Sequence, residues 1–450
     1  MIAGTGLIET ADLAIVGGGA AGLAAAIEAG RRLRRMERGL TGHPPTRIVV
    51  LEKQDKLGRK ILATGNGRCN LTNKHAAPTA YHGGGPGFVS FALTQFDVTS
   101  NLDFFYSMGL PCREEAEGRC YPACQQAAAV VDVLRLELER LDVKIHLGWT
   151  VASLEQQSGP QPFALTAVDG RQLTAKAVIL ANGGQASPNL GSDGSGYRLA
   201  ASLGHHVIQP RPALVQMETA GRRTAGLAGI RVETLLTMRN NSRELWSELG
   251  EVLLTEYGLS GIPILQASRM AGDLLASSEG PVTIRLDLLP EFPYPEVLSL
   301  IQQRCSMQPS LPAMEVLTGL LHRRIGQYLA RECLAQNTHL TCGQLTGKQQ
   351  QQLARAVKQM DLPVRKVRDF DQAQVTAGGL DCAEFWPERC ESRKVPGLFA
   401  VGELLDVDGD CGGYNLQWAW SSGRLAGRLA ARLVQDGPVK SVLPTKVELP

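Results

Sequence analysis

No apolar run among the 450 residues approaches the roughly 18 needed to cross a bilayer, so no helical membrane span is expected. The N-terminus has no basic stretch followed by an apolar core, so no signal peptide is expected. The first apolar strand starts near residue 13, which leaves little room for a targeting segment. Neither sign of charge dominates: the net charge is +2 and only 20% of residues are charged, so overall charge points to neither nucleic acid nor a membrane surface. Aromatic residues make up 5%, which argues against an aromatic cage for an amine. Ten cysteines are present but no pair is spaced C-x-x-C. Cys120 and Cys124 stand four apart without a second ligand pair, so reduced thiols in a cytoplasmic protein are expected rather than a zinc site. His205 and His206 adjoin at a strand start and belong to no metal set.

What is present begins at residue 12. Asp12-Leu13-Ala14-Ile15-Val16 reads as a buried strand, followed by Gly17, Gly19 and Gly22 at G-x-G-x-x-G spacing, and Ala20 to Arg35 reads as a helix. In that context each glycine has a role: Gly17 for the tight turn, Gly19 for close approach of a pyrophosphate, Gly22 for helix–strand packing. The phosphates would sit at the helix N-terminus, where free N–H groups and the dipole favour negative charge. Arg47 to Leu51 reads as the second strand, and Glu52 directly after it is the acid expected to hold a ribose. The extra length between turn and acid falls in a basic helix extension, Arg31 to Arg38, and a loop, Gly39 to Thr46. The arginines there have two readings, a solvated helix end or contact with RNA phosphates.

The rest of the chain supports an α/β class with a parallel sheet. Helices are expected at Phe88 to Gly109 and Ala127 to Leu141, and a strand at Lys144 to Leu147. A hairpin is expected from Phe163 to Ala167 and Gln172 to Ala175, and a separate strand at Ala177 to Ala181. Strand-like runs follow at His206 to Gln209, Ala213 to Met217, Val232 to Met238, Glu251 to Thr255 and Val282 to Asp287. Tyr294 to Met360 reads as helical, Gly397 to Glu403 as a last core strand, and Trp418 to Val434 as the closing helix. The expected division is a dinucleotide-binding domain over 1–196, an inserted β-rich, barrel-like domain over 197–290, a helical insert over 291–363, and return strands completing the first domain over 364–450.

Three separated segments resemble FAD-binding proteins of the glutathione-reductase-like superfamily. They are the glycine turn with Glu52, the strand end Ala181-Asn182-Gly183-Gly184 (near A-T-G-G), and Gly397 to Glu403 (near the G-L-Y-x-x-G-E strand of the fumarate-reductase branch). Longer motifs narrow the match. Gly58 to Asn73, Tyr257 to Gln266 and Asp406 to Gln417 resemble signatures of the BaiN/RdsA flavoprotein family, also labelled aminoacetone oxidase family FAD-binding enzymes, over nearly the whole chain. Two departures stand out: Asn66 where the family usually has glycine or another small residue, and Cys120 where an apolar residue is commoner.

The resemblance implies a Rossmann-like FAD-binding fold and assigns residues to it. Gly17, Gly19, Ala21 and Gly22 would bind the pyrophosphate, and Glu52 and Lys53 the adenosine ribose. Arg59 and Lys60 would neutralise phosphate. Val151, at the end of the strand before the hairpin, would offer its backbone to adenine. Gly183 and Gly402 would line the cofactor, and Glu403 would bind the ribityl hydroxyls. Asn66, Gly67, Arg68 and Asn70 would line the isoalloxazine. Gly413, Asn415 and Leu416 open the final helix, whose N-terminus would aim at the flavin pyrimidine. Cys69 and Tyr414 are the candidate catalytic proton donors, with Tyr257 the third tyrosine or cysteine weighed and read as structural.

The resemblance also leaves three activities open. One is NAD(P)H-driven reduction of an activated C=C bond, in an enone-like small molecule or in uridine of ribosomal RNA. The second is amine oxidation of the aminoacetone type with O2. The third is a flavin-holding binding module without turnover. An RNA substrate would favour a basic funnel, for which Arg211, Arg222, Arg223, Arg231 and Arg239 are candidates.

Overall fold

The computed structural model describes residues 8–37, 45–84, 86–277, 280–335, 337 and 339–436. Arg38, residues 39–44 of the loop after it and the Arg222 side chain lie outside the described residues. The chain divides into two units, one of residues 1–211 and 374–450, the other of 212–373.

The first unit is built on a sheet whose parallel core runs Leu398–Ala400, Gln172–Leu180, Glu9–Val16, Ile48–Leu51 and Lys144–His146. Its central strands read as unbroken apolar runs because both of their faces are buried. Leu13, Ala14, Ile15, Val49 and Val50 have no exposed surface. The two strands expected at Gln172 to Ala175 and Ala177 to Ala181 are one, Gln172–Leu180. Its first half pairs antiparallel with Phe163–Ala167 while its whole length runs parallel to Glu9–Val16, so no turn interrupts it. The single helix expected at Phe88 to Gly109 is two, Pro86–Gln95 and Val98–Tyr106. Asp97 breaks it by accepting the Ser100 amide at 2.7 Å as an N-cap.

The first helix, Ala20–Met36, packs along the final helix, Tyr414–Asp436. Gly423 lies against the Ala21 backbone and Gly427 against Ala25, where any Cβ would collide with main chain. These glycines bring two helices together that are some 400 residues apart in sequence, and Trp418 and Trp420 on the same helix are fully buried in the core.

The second unit is a closed six-stranded barrel. Inward residues alternate along its strands, as in Val282–Asp287, where Val282, Ile284 and Leu286 are buried. The boundary expected at 290/291 does not exist. The helices Tyr294–Met307, Arg323–Leu334 and Gly347–Lys358 sit between two neighbouring barrel strands, Val282–Asp287 and Met360–Val367. They share one hydrophobic core with the barrel. A helix that the strand pattern hid, Ile262–Ser277, belongs to the same core. The outer boundaries fall at 211/212 and 373/374 rather than 196/197 and 363/364. Among the described residues no helix is long and apolar enough to cross a membrane.

Candidate active site

The glycine turn divides its labour. Gly17 has φ +114, and a Cβ there would run into the Ala181 carbonyl; a Cβ at Gly22 would land on the Gly17 carbonyl oxygen. Those two are glycine for packing. A Cβ at Gly19 would meet nothing within 4 Å, so this face of the turn is open. Gly19 caps the first helix, whose leading amides have no partner within the helix and face the same opening. Ala21 is buried, and its methyl packs where Gly402, at φ +66, carries no side chain.

Glu52 is 9% exposed. Its Oε2 accepts the Gly18 amide at 2.6 Å and its Oε1 accepts the Gln54 amide at 2.8 Å. Each oxygen keeps a lone pair for a ribose hydroxyl. Lys53, expected at the ribose, instead pairs through Nζ with Asp193 at 2.7 Å. Burial opposes charge on Asp193, but Lys53 and Ser195 outweigh it and hold its carboxyl at about 2. Arg59 donates to Gln54 Oε1 at 2.5 Å. Val151 does not end the strand before the hairpin. It opens a strand of its own, Val151–Gln156, because Gly148 and Trp149 first hydrogen-bond back to Gln54 and Glu52.

A second cluster forms around Glu403. Its Oε1 accepts the Thr376 amide at 2.9 Å and its Oε2 pairs with Lys60 Nζ at 2.8 Å. Lys60, expected against phosphate, is therefore the counter-ion of Glu403. Thr376 Oγ1 accepts the amides of Gln185 and Ala186, at 2.8 and 3.0 Å, and Gly184 leaves the room this needs. Gly183 turns the chain at φ +73, and the Gly402 amide donates to Ser422 Oγ at 3.0 Å.

The loop after Thr64 is a run of left-handed residues: Gly65, Asn66, Gly67 and Cys69 have φ of 56, 55, 82 and 63. Asn66 departs from the family pattern but is among the side chains that tolerate this conformation best. Asn66 and Gly67 are exposed. Arg68, expected at the flavin, donates to Glu115 and Gln125 at 3.1 and 3.0 Å and stacks on Tyr121 at 4.1 Å. Cys69 is fully buried in the core, and burial pushes its thiol up to about 12. A thiol with no exposed surface cannot reach a substrate, so Cys69 packs rather than donates.

The final helix closes on this loop. Gly413, at φ +106, allows the helix start to lie against the Thr72 carbonyl and Asn70 Oδ1. Thr72 Oγ1 donates to Gln417 Oε1 at 2.6 Å and Trp420 Nε1 to the Leu71 carbonyl at 2.9 Å. The Asn415 side chain is committed to the loop before it, accepting from the Gly409 amide at 2.8 Å and donating to the Gly409 carbonyl at 2.7 Å. Leu416 packs on the core. Tyr414 is half-buried beside Tyr81, whose hydroxyl donates to the Tyr414 carbonyl at 3.0 Å. Burial first, then Asp410, hold the Tyr414 phenol above its ordinary range. Asp410 also meets His82 Nε2 at 2.9 Å. Sequence reasoning missed this His–Asp pair; 328 residues separate its members, and only strand pairing of Tyr81–Gly83 with Val407–Gly409 joins them. Tyr257, in the second unit, lies under the Arg368 guanidinium at 4.5 Å, a structural setting.

Whether a flavin dinucleotide fits is answered by what is left over. Asn70 Oδ1 and Asn182 Oδ1 are buried without a hydrogen-bond partner, and such atoms are rare unless a ligand or water satisfies them. With the open face at Gly19 and the lone pairs of Glu52, they fit an extended ligand bearing phosphate, ribose and hydrogen-bond donors. A second constellation does not make an active site. His205 lies between Ser392 Oγ at 3.0 Å and Glu384 at 2.8 Å, as in a hydrolase triad. Ser392, however, is buried and its Oγ accepts the amides of Lys394 and Val395, so it is a staple and not a nucleophile.

A family model described as the HI0933-like protein Rossmann domain matches residues 11–429. The chain is 41% identical over 421 residues to a 3-dehydro-bile acid delta(4,6)-reductase of Clostridium scindens, covering 93% of this chain and 98% of that protein. It is 30% identical to a ribosomal RNA dihydrouridine synthase of Escherichia coli, covering 92% and 96%. A protein of the same description from Haemophilus influenzae is 29% identical, covering 91% and 95%.

Proposed function

The chain belongs to the HI0933-like family of FAD-dependent oxidoreductases, and on that premise we propose that it reduces a C=C bond conjugated to a carbonyl in a small molecule, with NADH or NADPH as electron source. The observation that carries this reading is the 41% identity, over nearly the full length of both chains, to a protein whose name describes reduction of a dienone-type bile acid.

FAD, when bound, supplies hydride transfer at its N5 position. The chain's own residues do the rest. Glu52 orients the adenosine ribose, the open amides beside Gly19 receive the pyrophosphate, and Glu403, balanced by Lys60, receives polyol hydroxyls. The positive end of the final helix stabilises negative charge that develops in front of it. Saturating the double bond also requires a proton at the carbon next to the carbonyl. Tyr414 is the donor we propose, since it stands half-buried at the mouth of that helix and its phenol is held protonated. The His82–Asp410 pair beside it can refill that proton from solvent. The cytoplasm, where nicotinamide cofactors and free thiols persist, is the proposed setting.

Anaerobic stopped-flow bleaching of the flavin near about 450 nm tests the reading. We expect rapid bleaching by NADH or NADPH, and reoxidation by a steroid 4-en-3-one faster than by O2. Bleaching by aminoacetone with fast reoxidation and peroxide release would replace it with the oxidase. Reoxidation by unmodified ribosomal RNA but by no enone would move the same chemistry to uridine, the activity named for the 30%-identical relative.

A further inference from the structure

We propose that the C-terminal half of the first helix and the final helix beside it form a second binding site, for a ligand carrying two or more phosphates, separate from the dinucleotide turn. The two helices run in the same direction, since Gly423 meets Ala21 and Gly427 meets Ala25. Two adjoining clefts share Arg31 and Arg35 as a common wall: one of about 280 Å3 lies between these two helices, and one of about 300 Å3 lies between the first helix and the helix Ala127–Arg140. Arg32 lies twelve residues beyond Ala20, about 18 Å along the helix from the turn, so this is not an extension of the pyrophosphate cradle.

Seven arginines line the clefts against two glutamates. The glutamates are already shared. Glu137 is held by Arg31 and Arg140, each at 2.6 Å, and Glu28 by Arg424 and Arg428 at 3.1 and 3.0 Å. Arg34 pairs in turn with Glu37 at 2.8 Å, so the positive charge that remains is that of Arg32 and Arg35. Arg32 Nε is buried without a hydrogen-bond partner. Arg35 is exposed and has no ion-pair partner among the described residues. Burial, then repulsion from Arg432 and Arg428, pushes the Arg32 guanidinium below its ordinary value, so the surplus is unfavourable as it stands. The negative end of the first helix explains Arg34 and Arg35 in its last turn, but not a charged wall with an orphaned donor.

The guanidiniums are also held in place. Arg424 and Arg428 lie over Phe96, both at 4.2 Å, and Arg31 over Phe104 at 5.2 Å. Stacking fixes the plane of each fork; these three spend donors on Glu137, Glu28 and the Ser100–Asn101 segment, so they frame the cleft while Arg32 and Arg35 keep donors for an anion. Planar forks recognise phosphate bidentately, and a pair of clefts with a shared wall suits more than one phosphate on the same ligand. A free oligophosphate and an RNA backbone offer that same chemistry.

The test is calorimetric titration of the FAD-loaded protein with inorganic tripolyphosphate and with a short oligouridylate, at about 50 mM salt, where phosphate contacts are strong. Arg35→Glu and Arg32→Gln should each weaken tripolyphosphate binding tenfold or more while leaving flavin absorbance unchanged. If the oligouridylate also binds and tripolyphosphate displaces it, the ligand is an RNA backbone; if tripolyphosphate alone binds, it is a free oligophosphate. Failure of the wild-type protein to bind either probe, or equal binding by Arg35→Glu, overturns the proposal. Arg35 is exposed, so that variant decides the matter even if Arg32→Gln does not fold.

Discussion

The two ends of the dinucleotide site are made in opposite ways. The adenosine end is local: strand, turn, helix and acid follow one another from Glu9 to Glu52, and the carboxylate of Glu52 closes back on the Gly18 amide. The end around Asn70, Glu403 and Tyr414 is assembled from segments more than 300 residues apart, joined by Lys60–Glu403, Thr72–Gln417 and Trp420–Leu71. A local end binds what many proteins bind and so has a portable motif. An assembled end sets what is particular to this chain.

The largest effect should come from breaking the local end by packing. Gly22→Val drives two methyl groups and a Cβ into the Gly17 main chain, which cannot yield. We expect overpacking of roughly 1–3 kcal/mol in the thermal melt and no retained flavin. Gly19→Ala sharpens the point: nothing lies within 4 Å, so the melt should match wild type while FAD occupancy falls. An unaltered flavin content in Gly19→Ala would mean the pyrophosphate lies elsewhere.

At the assembled end, Tyr414→Phe should slow flavin reoxidation by enone roughly 10²–10⁴-fold, the usual range for loss of a general acid, with bleaching by nicotinamide unchanged. Equal reoxidation rates would hand the proton to His82 or to water. Between these in kind but smaller in size, Glu52→Ala should weaken FAD retention by about tenfold, since a charged acceptor for ribose and for two amides is lost; normal occupancy after gel filtration would sink the assignment of that carboxylate. Cys69→Ala should leave turnover within about twofold of wild type, consistent with packing rather than proton donation.

The smallest effect lies away from both ends. Burial, with Lys394, lowers His205 below its ordinary 6.5, against the pull of Glu384. The folded state thus favours the neutral ring, and its stability is whole above 6.5. It declines as pH falls from there toward the lower folded value, by at most about 1.4 kcal/mol per pH unit. His205→Gln should flatten that decline in melts taken between pH 5 and 7, and an unchanged slope would place the acid sensitivity in another group.

Much of the fold was legible because its signals are short-range. The apolar run before Gly17, the alanine-rich segment after Ala20 and the acid after Leu51 need no partner to be read. Errors came where a partner decides. Residues 172 to 180 read as two strands because Phe163–Ala167 pairs antiparallel with the first part alone, and the parallel pairing with Glu9–Val16 that joins both parts comes from far along the chain. The helices from 294 to 358 read as a separate insert because the strand that closes the barrel comes after them. In the site, the partners of several expected residues were not legible. Lys53, Lys60 and Arg68 are cations near acids far along the chain, and no spacing rule announces Asp193, Glu403 or Glu115.

Taken alone, then, the sequence determined the class of the protein: a dinucleotide turn with its ribose acid, interrupted by a long insert and completed at the C-terminus, in a family of flavin oxidoreductases. Local backbone geometry explains part of why: Gly22 is demanded by the Gly17 carbonyl of the same turn, and Gly19 leaves that turn open. The tertiary structure decided which side chains are free to act. It buried Cys69, committed Asn415 to its own loop, paired His82 with Asp410, and gathered the arginines of two distant helices onto one wall, because burial and ion pairing depend on neighbours that the order of residues does not name.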